Sequence, residues 1–529
     1  MRAAVLVLLL APTAQAQWSP GSGQWEKSEE TDLRVATWNV KDAICRTANK
    51  DDAALNWAAC ARTIAALKPD VLILQECGDN TGNGTGSGID STSVLGNVLE
   101  LFIHGGADPY NGGQVEAYVQ KWAPEYDLPY KYVPTSSDGF NRNVILSIFP
   151  FSDLNGDGRS TLNDLPNISS STWAAGGDGG IRGVQFAELS LPDEIYEGDL
   201  VVGNAHLKSG GGSDNHAQRV DAASNVAYYI DHLYNGAGAG VPDPDNRISD
   251  SPAAASILPA GTAVVFGGDW NEDEGSNGGK GPAEWITAAL TIGGTDGTDR
   301  DRSDMTYDSA THQFTGSGDT IGSNKYDYLA WQDSVATLRR AVIFHSQGTP
   351  SSALPSTFAG YPNPPFLSST ASDHKLVFAD LILPLVDYCD EIYEYCLDNA
   401  NSTGFPATLY WSGTPSISAG DFTLLAQSAV PNQFGVFYYG PIQTQVPFGQ
   451  GYRCVGAGLL GTFRLFPVVQ CDAFGDAQRT LDWGSNPVGS GPGQITAGAT
   501  WNFQFWYRDP AAGSPGFNLT AGLSVKFCR

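Results

Sequence analysis

The sequence predicts an α/β chain built on sheets covered by helices, followed by a smaller all-β module. Three observations carry that expectation. Nine short apolar runs rich in β-branched and aromatic residues recur between Asp32 and Leu383, each the length of a buried strand. Helical spacing occupies several of the intervals between them, which implies sheets with helices packed on their faces. After Pro384 the character changes: Phe405 to Arg529 carries short strands, many glycines and prolines, and no helical spacing.

In chain order, Met1-Arg2 gives a positive start, Ala3 to Leu10 a short apolar stretch, and Ala14-Gln15-Ala16 a small-residue cleavage pattern before Gln17. This reads as a secretory signal peptide over 1–16, too short to span a bilayer. No later apolar run is long enough to cross a membrane, so the expectation is a secreted, extracellular monomer. The first domain follows over 17–385. Its strands are "LRVATWNV", "DVLILQEC", "NVILSIF", "GVQFAELSL", "LVVGNAHL", "TAVVFGGDW", "YDYLAW", "RAVIFHS" and "KLVFADLIL". Helices are expected from Asp52 to Leu67, within Asn97 to Trp122 and from Asp214 to Leu233. Residues 386–404 read as a linker and 405–529 as an all-β sandwich-like domain.

Composition narrows the chemistry. The 529 residues carry 57 acidic and 29 basic side chains, a net charge of −28. That excludes a general electrostatic grip on nucleic acid or anionic lipid. An anionic substrate needs a local remedy, either a divalent cation or a few placed basic residues. The eight cysteines form no CxxC pair of the kind that holds zinc. Cys45, Cys60 and Cys77 lie early; Cys389, Cys396, Cys454, Cys471 and Cys528 lie late. Either a bridge links the two odd groups or two thiols stay free.

Functional residues gather where apolar runs end. "VATWNV" ends on Asn39, "VLILQEC" on Glu76, "VVGNAHL" on Asn204 and His206, and "VVFGGDWN" on Asp269 and Asn271. "KYDYLAW" holds Asp327, and "ASDHKLVFADL" opens on Asp373-His374. Gly267 and Gly268 permit a sharp turn or a close backbone approach beside Asp269. Singly, each polar residue reads as a cap, a turn residue or a satisfied core histidine. Six such coincidences point to one site.

These motifs, in this order, resemble the endonuclease/exonuclease/phosphatase superfamily of metal-dependent phosphoesterases, which includes DNase I-like nucleases and neutral sphingomyelinases. The resemblance covers about two-thirds of the chain. It implies a four-layer α/β sandwich, two packed β-sheets flanked by helices, ahead of the all-β domain. It also implies Mg²⁺ (or Mn²⁺) held by Glu76, with Asn39 and Asp373 touching the metal or its waters, since hard cations take carboxylate oxygens and bridge to phosphate. Asp269 orients or deprotonates the attacking water, and Asn271 hydrogen-bonds the phosphoryl oxygens. His374, partnered by Asp327, stabilises the charged transition state. His206 contacts phosphate and protonates the leaving oxygen. In DNase I-like enzymes a glutamate partners that histidine; here "GFNRNVILSIF" offers Asn141, Arg142 and Asn143. Asn39, Arg142, Arg182 and Lys208 are the candidate substrate-binding residues.

A second metal signal lies in "DLNGDGRSTLND". Asp153, Asn155 and Asp157 take positions 1, 3 and 5 of a calcium loop, Gly158 the turn, the Arg159 carbonyl position 7 and Asp164 position 12. This predicts a structural Ca²⁺. The C-terminal aromatics, as in "WNFQFWYRDP", either fill a sandwich core or face a carbohydrate or other surface. The leading functional expectation is a secreted Mg²⁺-dependent phosphodiesterase acting on nucleic acid, DNA first with RNA left open, an assignment that "NAHLKSGG" favours by its likeness to secreted bacterial nucleases. The alternative is a sphingomyelinase-like phospholipase C, for which Phe358, Tyr361 and Phe366 stand where those enzymes carry an aromatic hairpin.

Overall fold

The computed structural model describes residues 18–528, apart from 46–47, 78–89, 136–140, 164–183, 194, 231–255, 257, 260, 278–280, 288–304 and 387–390. The leader expected at 1–16 lies outside the described residues. The chain divides into two compact units, residues 1–385 and 386–529.

In the first unit the strands are β1 (Leu33–Asn39), β2 (Val71–Cys77), β3 (Gly106–Ala107), β4 (Gln114–Val115), β5 (Tyr130–Tyr132), β6 (Arg142–Ser147), β7 (Thr161–Asn163) and β8 (Gln185–Leu189). They continue with β9 (Leu200–His206), β10 (Ala263–Asp269), β11 (Met305–Tyr307), β12 (Thr311–His312), β13 (Asp327–Gln332), β14 (Thr337–Phe344) and β15 (Leu376–Ile382). The helices are α1 (Asn56–Leu67), α2 (Thr92–His104), α3 (Val119–Trp122), α4 (Ser213–Tyr229), α5 (Glu274–Asn277), α6 (Pro282–Thr287) and α7 (Leu367–Ala371). One sheet runs β12-β14-β15-β1-β2-β6-β5 and another β11-β13-β10-β9-β8-β7.

Side-chain alternation explains why the strand runs are apolar on both faces. Val35, Val71 and Ile73 of one sheet share a buried cluster with Val202, Val265 and Leu329 of the other. On the opposite face, Ala36, Trp38, Leu72 and Leu74 join Trp57, Ile64, Leu99 and Leu367 from α1, α2 and α7. Val201, Val264 and Phe266 likewise meet Ala223 and Val226 of α4 and Ile286 of α6.

Each sheet has a parallel pair at its centre, β1 with β2 and β9 with β10. Parallel neighbours end side by side, so Asn39 and Glu76 emerge together, as do His206 and Asp269. Two buried amides pin the sheets to each other just below these ends. Gln75 donates from Nε2 to Thr37 Oγ1 (3.0 Å) and to Asn204 Oδ1 (2.9 Å). Asn204 donates from Nδ2 to the carbonyls of Leu74 (3.0 Å) and Val144 (3.1 Å).

Three boundaries depart from the sequence expectation. Helix α1 starts at Asn56 rather than Asp52, because Asn49 and Asp51 hold the preceding chain in side-chain-capped turns, and Asp52 instead pairs with Arg62 at 2.8 Å. Helix α2 starts at Thr92, ahead of Asn97, where Ser91 Oγ accepts from Val94 N. Within the expected linker 386–404, the described residues belong to the second unit. Their strand β16 (Ile392–Tyr395) pairs with the last strand of the C-terminal sheet, and Cys396 is bonded to Cys454.

The second unit continues with β17 (Thr408–Ser412), β18 (Thr423–Gln427), β19 (Phe434–Gly440), β20 (Ile442–Phe448), β21 (Gly451–Gly456), β22 (Phe463–Gln470), β23 (Ala477–Thr480), β24 (Thr500–Arg508), β25 (Phe517–Leu519) and β26 (Gly522–Lys526). One sheet follows the path β16-β26-β24-β19-β22 and another β17-β18-β23. Phe437, Tyr439, Phe503, Phe505 and Tyr507 pack with Leu409 and Leu424 between them, so most of the aromatics in "WNFQFWYRDP" serve the core. The cysteine expectation is corrected here. Cys60, Cys77 and Cys471 all stay free and buried, three thiols where the expectation allowed two. Cys528 is disulfide-bonded, and Cys389 lies outside the described residues.

The amide pins generate a stability prediction. Asn204→Ala strips Gln75 Nε2 and two buried carbonyls of a partner at once, and should lower unfolding stability by about 2–3 kcal/mol. Denaturant titration of wild type and variant measures it; a loss under about 0.5 kcal/mol would show that the pins carry no load.

Candidate active site

The register of the central strands assembles the site. His206 pairs with Asp269 across β9 and β10, and Asp269 with Asp327 across β10 and β13. Three chemically active side chains therefore end three adjacent strands at one level. Gly268 makes this possible: its φ is +151°, and a Cβ there would stand 1.8 Å from the Ala205 carbonyl oxygen, so only glycine lets β10 lie this close to β9.

Asn39 bridges from the facing sheet. Its Nδ2 donates to Glu76 Oε1 (3.0 Å) and to Asp269 Oδ2 (3.0 Å). Glu76 sits at a bulge in β2 with φ +56°, which turns its carboxylate out of the strand and leaves the side chain 22% exposed. Lys41, Asp42 and Asn271 also adopt left-handed conformations, at φ +45°, +59° and +55°. Non-glycine residues avoid that region, and strain of this kind gathers at functional sites.

Asp269 is the hub. Its Oδ1 accepts from Asn271 N (2.9 Å), and its Oδ2 lies 3.3 Å from His206 Nε2 and 3.7 Å from His374 Nε2. Burial, then the neighbouring Asp327 charge, pushes its carboxyl up to about 7, against the opposing pull of His374 and the hydrogen bonds from Asn39 and Asn271. His374 goes the other way. Burial disfavours its charge, but Asp327, whose carboxylate meets Nδ1 at 2.8 and 3.1 Å, outweighs that and raises the imidazole to about 10. His374 is thus an imidazolium at neutral pH beside a carboxyl poised near neutrality. The loop is fixed from below. Ser372 Oγ donates to the Asn39 carbonyl (2.7 Å) and accepts from His374 N (3.1 Å), while Trp38 Nε1 donates to the His374 carbonyl (3.0 Å).

The donor set suits a hard divalent cation. Asp269, Asp327 and His374 bring one ligand-type atom each within 4.8 Å of one another. His374 Nδ1 is already engaged by Asp327, and a protonated imidazole offers no lone pair, so this trio is better read as a charge relay than as a cage. Glu76 is the open carboxylate of the cluster, and Asn39 turns its Nδ2 to it while its Oδ1 accepts from Lys41 N. Those oxygens, with Asp373, fit Mg²⁺ or Mn²⁺ in ligand chemistry. Asp373 stands apart from the hub, 44% exposed and paired with Lys41.

Other predicted residues fall into place differently. Asn271 uses its side-chain amide to donate to the Leu207 carbonyl (3.1 Å), which braces the turn after β10. Arg142, expected to bind substrate, also ties loops together. Its guanidinium donates to the carbonyls of Asp90 (3.0 Å), Pro134 (3.0 Å) and Thr135 (2.5 Å), holding loops together. Lys208 lies two residues past His206, half-buried, on a loop held by Arg219, whose Nη1 donates to the Lys208 and Gly210 carbonyls and whose Nε meets Glu272. Arg182 and Asp164 lie outside the described residues.

In the expected calcium loop, Asp153, Asn155 and Asp157 turn their oxygens onto backbone amides of the loop, and Arg159 pairs with Asp157 at 2.8 Å. Sequence reasoning missed Glu188 here. This buried β8 carboxylate accepts from Leu154 N and is raised to about 7 by burial and by the Asp157 and Asp153 charges. A lone acid within "VQFAEL" gave no signal of it. Lys41 was missed as well, although its place two residues after Asn39 could have drawn notice.

No protein-family model matches the chain, and no curated protein matches it. Solved structures similar to it include an endonuclease/exonuclease/phosphatase from Beutenbergia cavernae, at 15% identity and TM-score 0.36, covering 94% of this chain and 100% of that one. The human Nocturnin catalytic domain with bound sulfate is similar at 12% identity and TM-score 0.35, over 68% of this chain and 95% of that one. An endonuclease/exonuclease/phosphatase from Bacteroides vulgatus is similar at 14% identity and TM-score 0.36, over 67% of this chain and 100% of that one. At these values the likeness carries no argument about what the chain does.

The raised carboxyl of Asp269 has a stability cost with a definite pH window. In the unfolded chain an aspartate titrates near 3.8; in the folded protein this one is held up to about 7. The penalty is therefore absent below the unfolded value, grows between the two, and is complete above about 7. Asp269→Asn should melt at a higher temperature than wild type at pH 8, with the gain shrinking towards pH 4. A gain independent of pH, or a loss at pH 8, would contradict the assignment.

Proposed function

We propose that the first unit is a metal-dependent phosphodiester hydrolase of the endonuclease/exonuclease/phosphatase superfamily, and that it acts on nucleic acid. The observation that carries this reading is the convergence of Asn39, Glu76, His206, Asp269, Asp327 and His374 at one shared edge of two sheets, with a cationic His374 beside a near-neutral Asp269. The three apolar clusters, one between the sheets and one on each outer face, support reading the unit as the four-layer α/β sandwich of that superfamily. The aromatic core of the second unit supports an all-β sandwich.

Each residue has a task that its surroundings suit. Asp269 takes a proton from the attacking water through Oδ2; a base titrating near neutral pH is efficient in that role. Asn39 holds Asp269 and Glu76 at a fixed separation. His374, fixed by Asp327, places its Nε2 proton towards the phosphoryl oxygens and stabilises charge that grows in the transition state. His206 faces the same space and supplies a proton to the departing oxygen. Lys208 is the nearby cation for the flanking phosphate. A divalent cation held by Glu76, with Asn39 and Asp373, would offset the phosphate charge that an acidic protein otherwise repels.

Nucleic acid is preferred over sphingomyelin on one observation. Phe358 and Tyr361 are 1% and 4% exposed and belong to the core under α1, leaving Phe366 as the outward ring of the three. A segment whose aromatics are committed to the core does not offer an inserting hairpin. Export to the cell exterior is part of the proposal, resting on the leader-like start of the sequence.

Incubating the mature protein with plasmid DNA and, separately, with sphingomyelin liposomes tests the reading. The expected result is DNA cleavage with Mg²⁺ or Mn²⁺, none in EDTA, and recovery on adding excess cation. Full cleavage in EDTA overturns the metal-dependent reading; hydrolysis of sphingomyelin alone overturns the nucleic-acid assignment.

A further inference from the structure

Lys41 is an ammonium set directly onto Asp373, a carboxylate that the proposed function assigns to a divalent cation. Its Nζ lies 2.6 Å from Asp373 Oδ2, and it is also within the electrostatic reach of Glu76 and Asp42. Its backbone N donates to Asn39 Oδ1 at 3.0 Å, so the same residue covers the amide oxygen of the ligand set.

The placement is specific. After β1 the chain would carry Lys41 away from the site if it stayed extended. Instead Lys41 and Asp42 are consecutive left-handed residues, at φ +45° and +59°, a conformation that side-chain-bearing residues seldom adopt in succession. The turn is stitched to the bulged end of β2 by Val40 N donating to the Gln75 carbonyl (3.1 Å) and Asp42 N to the Glu76 carbonyl (3.2 Å). Its effect is to reverse the chain and lay the Lys41 side chain across to Asp373, the residue before His374. Lys41 remains 60% exposed, so burial does not hold it there; the carboxylate does.

We propose that Lys41 is a built-in counter-ion of Asp373 that competes with the divalent cation for that carboxylate. This inference rests on the metal-binding reading of the site. Two carboxylates and a buried acid gathered without a cation repel one another, and an ammonium relieves that without demanding a coordination geometry. A divalent ion at the same oxygens carries twice the charge and repels the ammonium, so loading the site requires Lys41 to move. Its exposure and flexible stem allow this without disturbing the core. Lys41 is in this sense a positioning residue that sets the affinity of the site for metal rather than a ligand of it.

Calorimetric titration of the mature, metal-stripped protein with Mn²⁺ alone is the test, with Lys41→Met removing the charge and Lys41→Arg keeping it. Screened ion pairs of this exposure are modest in strength, and the loss of like-charge repulsion adds to them, so Lys41→Met should bind Mn²⁺ about threefold to tenfold tighter than wild type. Lys41→Arg should bind within about twofold of wild type. Raising the salt concentration should narrow the difference between Lys41→Met and wild type. Equal or weaker Mn²⁺ binding by Lys41→Met overturns the counter-ion role while leaving the metal site standing. No Mn²⁺ binding by wild type or either variant overturns the metal reading beneath it.

Discussion

One amide nitrogen joins the two halves of the site. Asn39 Nδ2 gives one hydrogen to Glu76, from its own sheet, and the other to Asp269, from the facing sheet. An amide is suited to this because it brings two donors and no charge. A lysine there would add a positive charge between the acids, and an aspartate would repel them. The arrangement keeps two carboxylates close in different surroundings: Glu76 partly solvated and open, Asp269 buried and raised. Division of labour between two like acids by environment is a recurrent way of running acid–base chemistry near neutral pH.

Everything beneath that contact serves to hold it. The parallel pairs β1/β2 and β9/β10 bring strand ends into register, the Gln75–Asn204 pins fix the sheets against sliding, and Gly268 lets β10 close on β9. The second anchor is the Asp327–His374 pair, whose favourable charge interaction partly compensates the buried Asp269. Because His374 is raised from 6.5 to about 10, its contribution to stability is complete below the unfolded value and fades as pH rises through about 10. The penalty of Asp269 grows from 3.8 to about 7. The site therefore adds most to stability in mildly acidic solution and least in alkaline solution.

Much of this was legible in the sequence, for physical reasons that differ by residue. Strands such as Val264-Val265-Phe266 declare themselves because burial on both faces demands an unbroken apolar run, and the polar residue that follows must be at a strand end. Asn39, Glu76, His206 and Asp269 stand out in that way, Asp327 and His374 by opening their runs, and the fold brings the six side chains together. What sequence could not supply was direction and company. Asn271 carries an amide of the right kind, yet its bond to Leu207 depends on a left-handed backbone. Arg142 reads as a substrate cation, and sequence gives no sign that its guanidinium meets the carbonyls of a loop 52 residues earlier and of another just before it. Glu188 reaches the Asp153–Asp157 loop only because β8 lies beside it. The stretch around Cys396 read as a linker because its strand is short and its partner, β26, ends the chain.

The central claim is that the Asn39 amide sets the relation between the two carboxylates on which the proposed hydrolysis depends. The most direct measurement is the rate at which Asn39→Leu, shown by circular dichroism to be folded, hydrolyses bis-p-nitrophenyl phosphate with Mn²⁺. Leucine keeps the volume and removes both donors, so the account predicts a fall in kcat of about a hundredfold or more. A folded Asn39→Leu protein that retains activity within about threefold of wild type would contradict it.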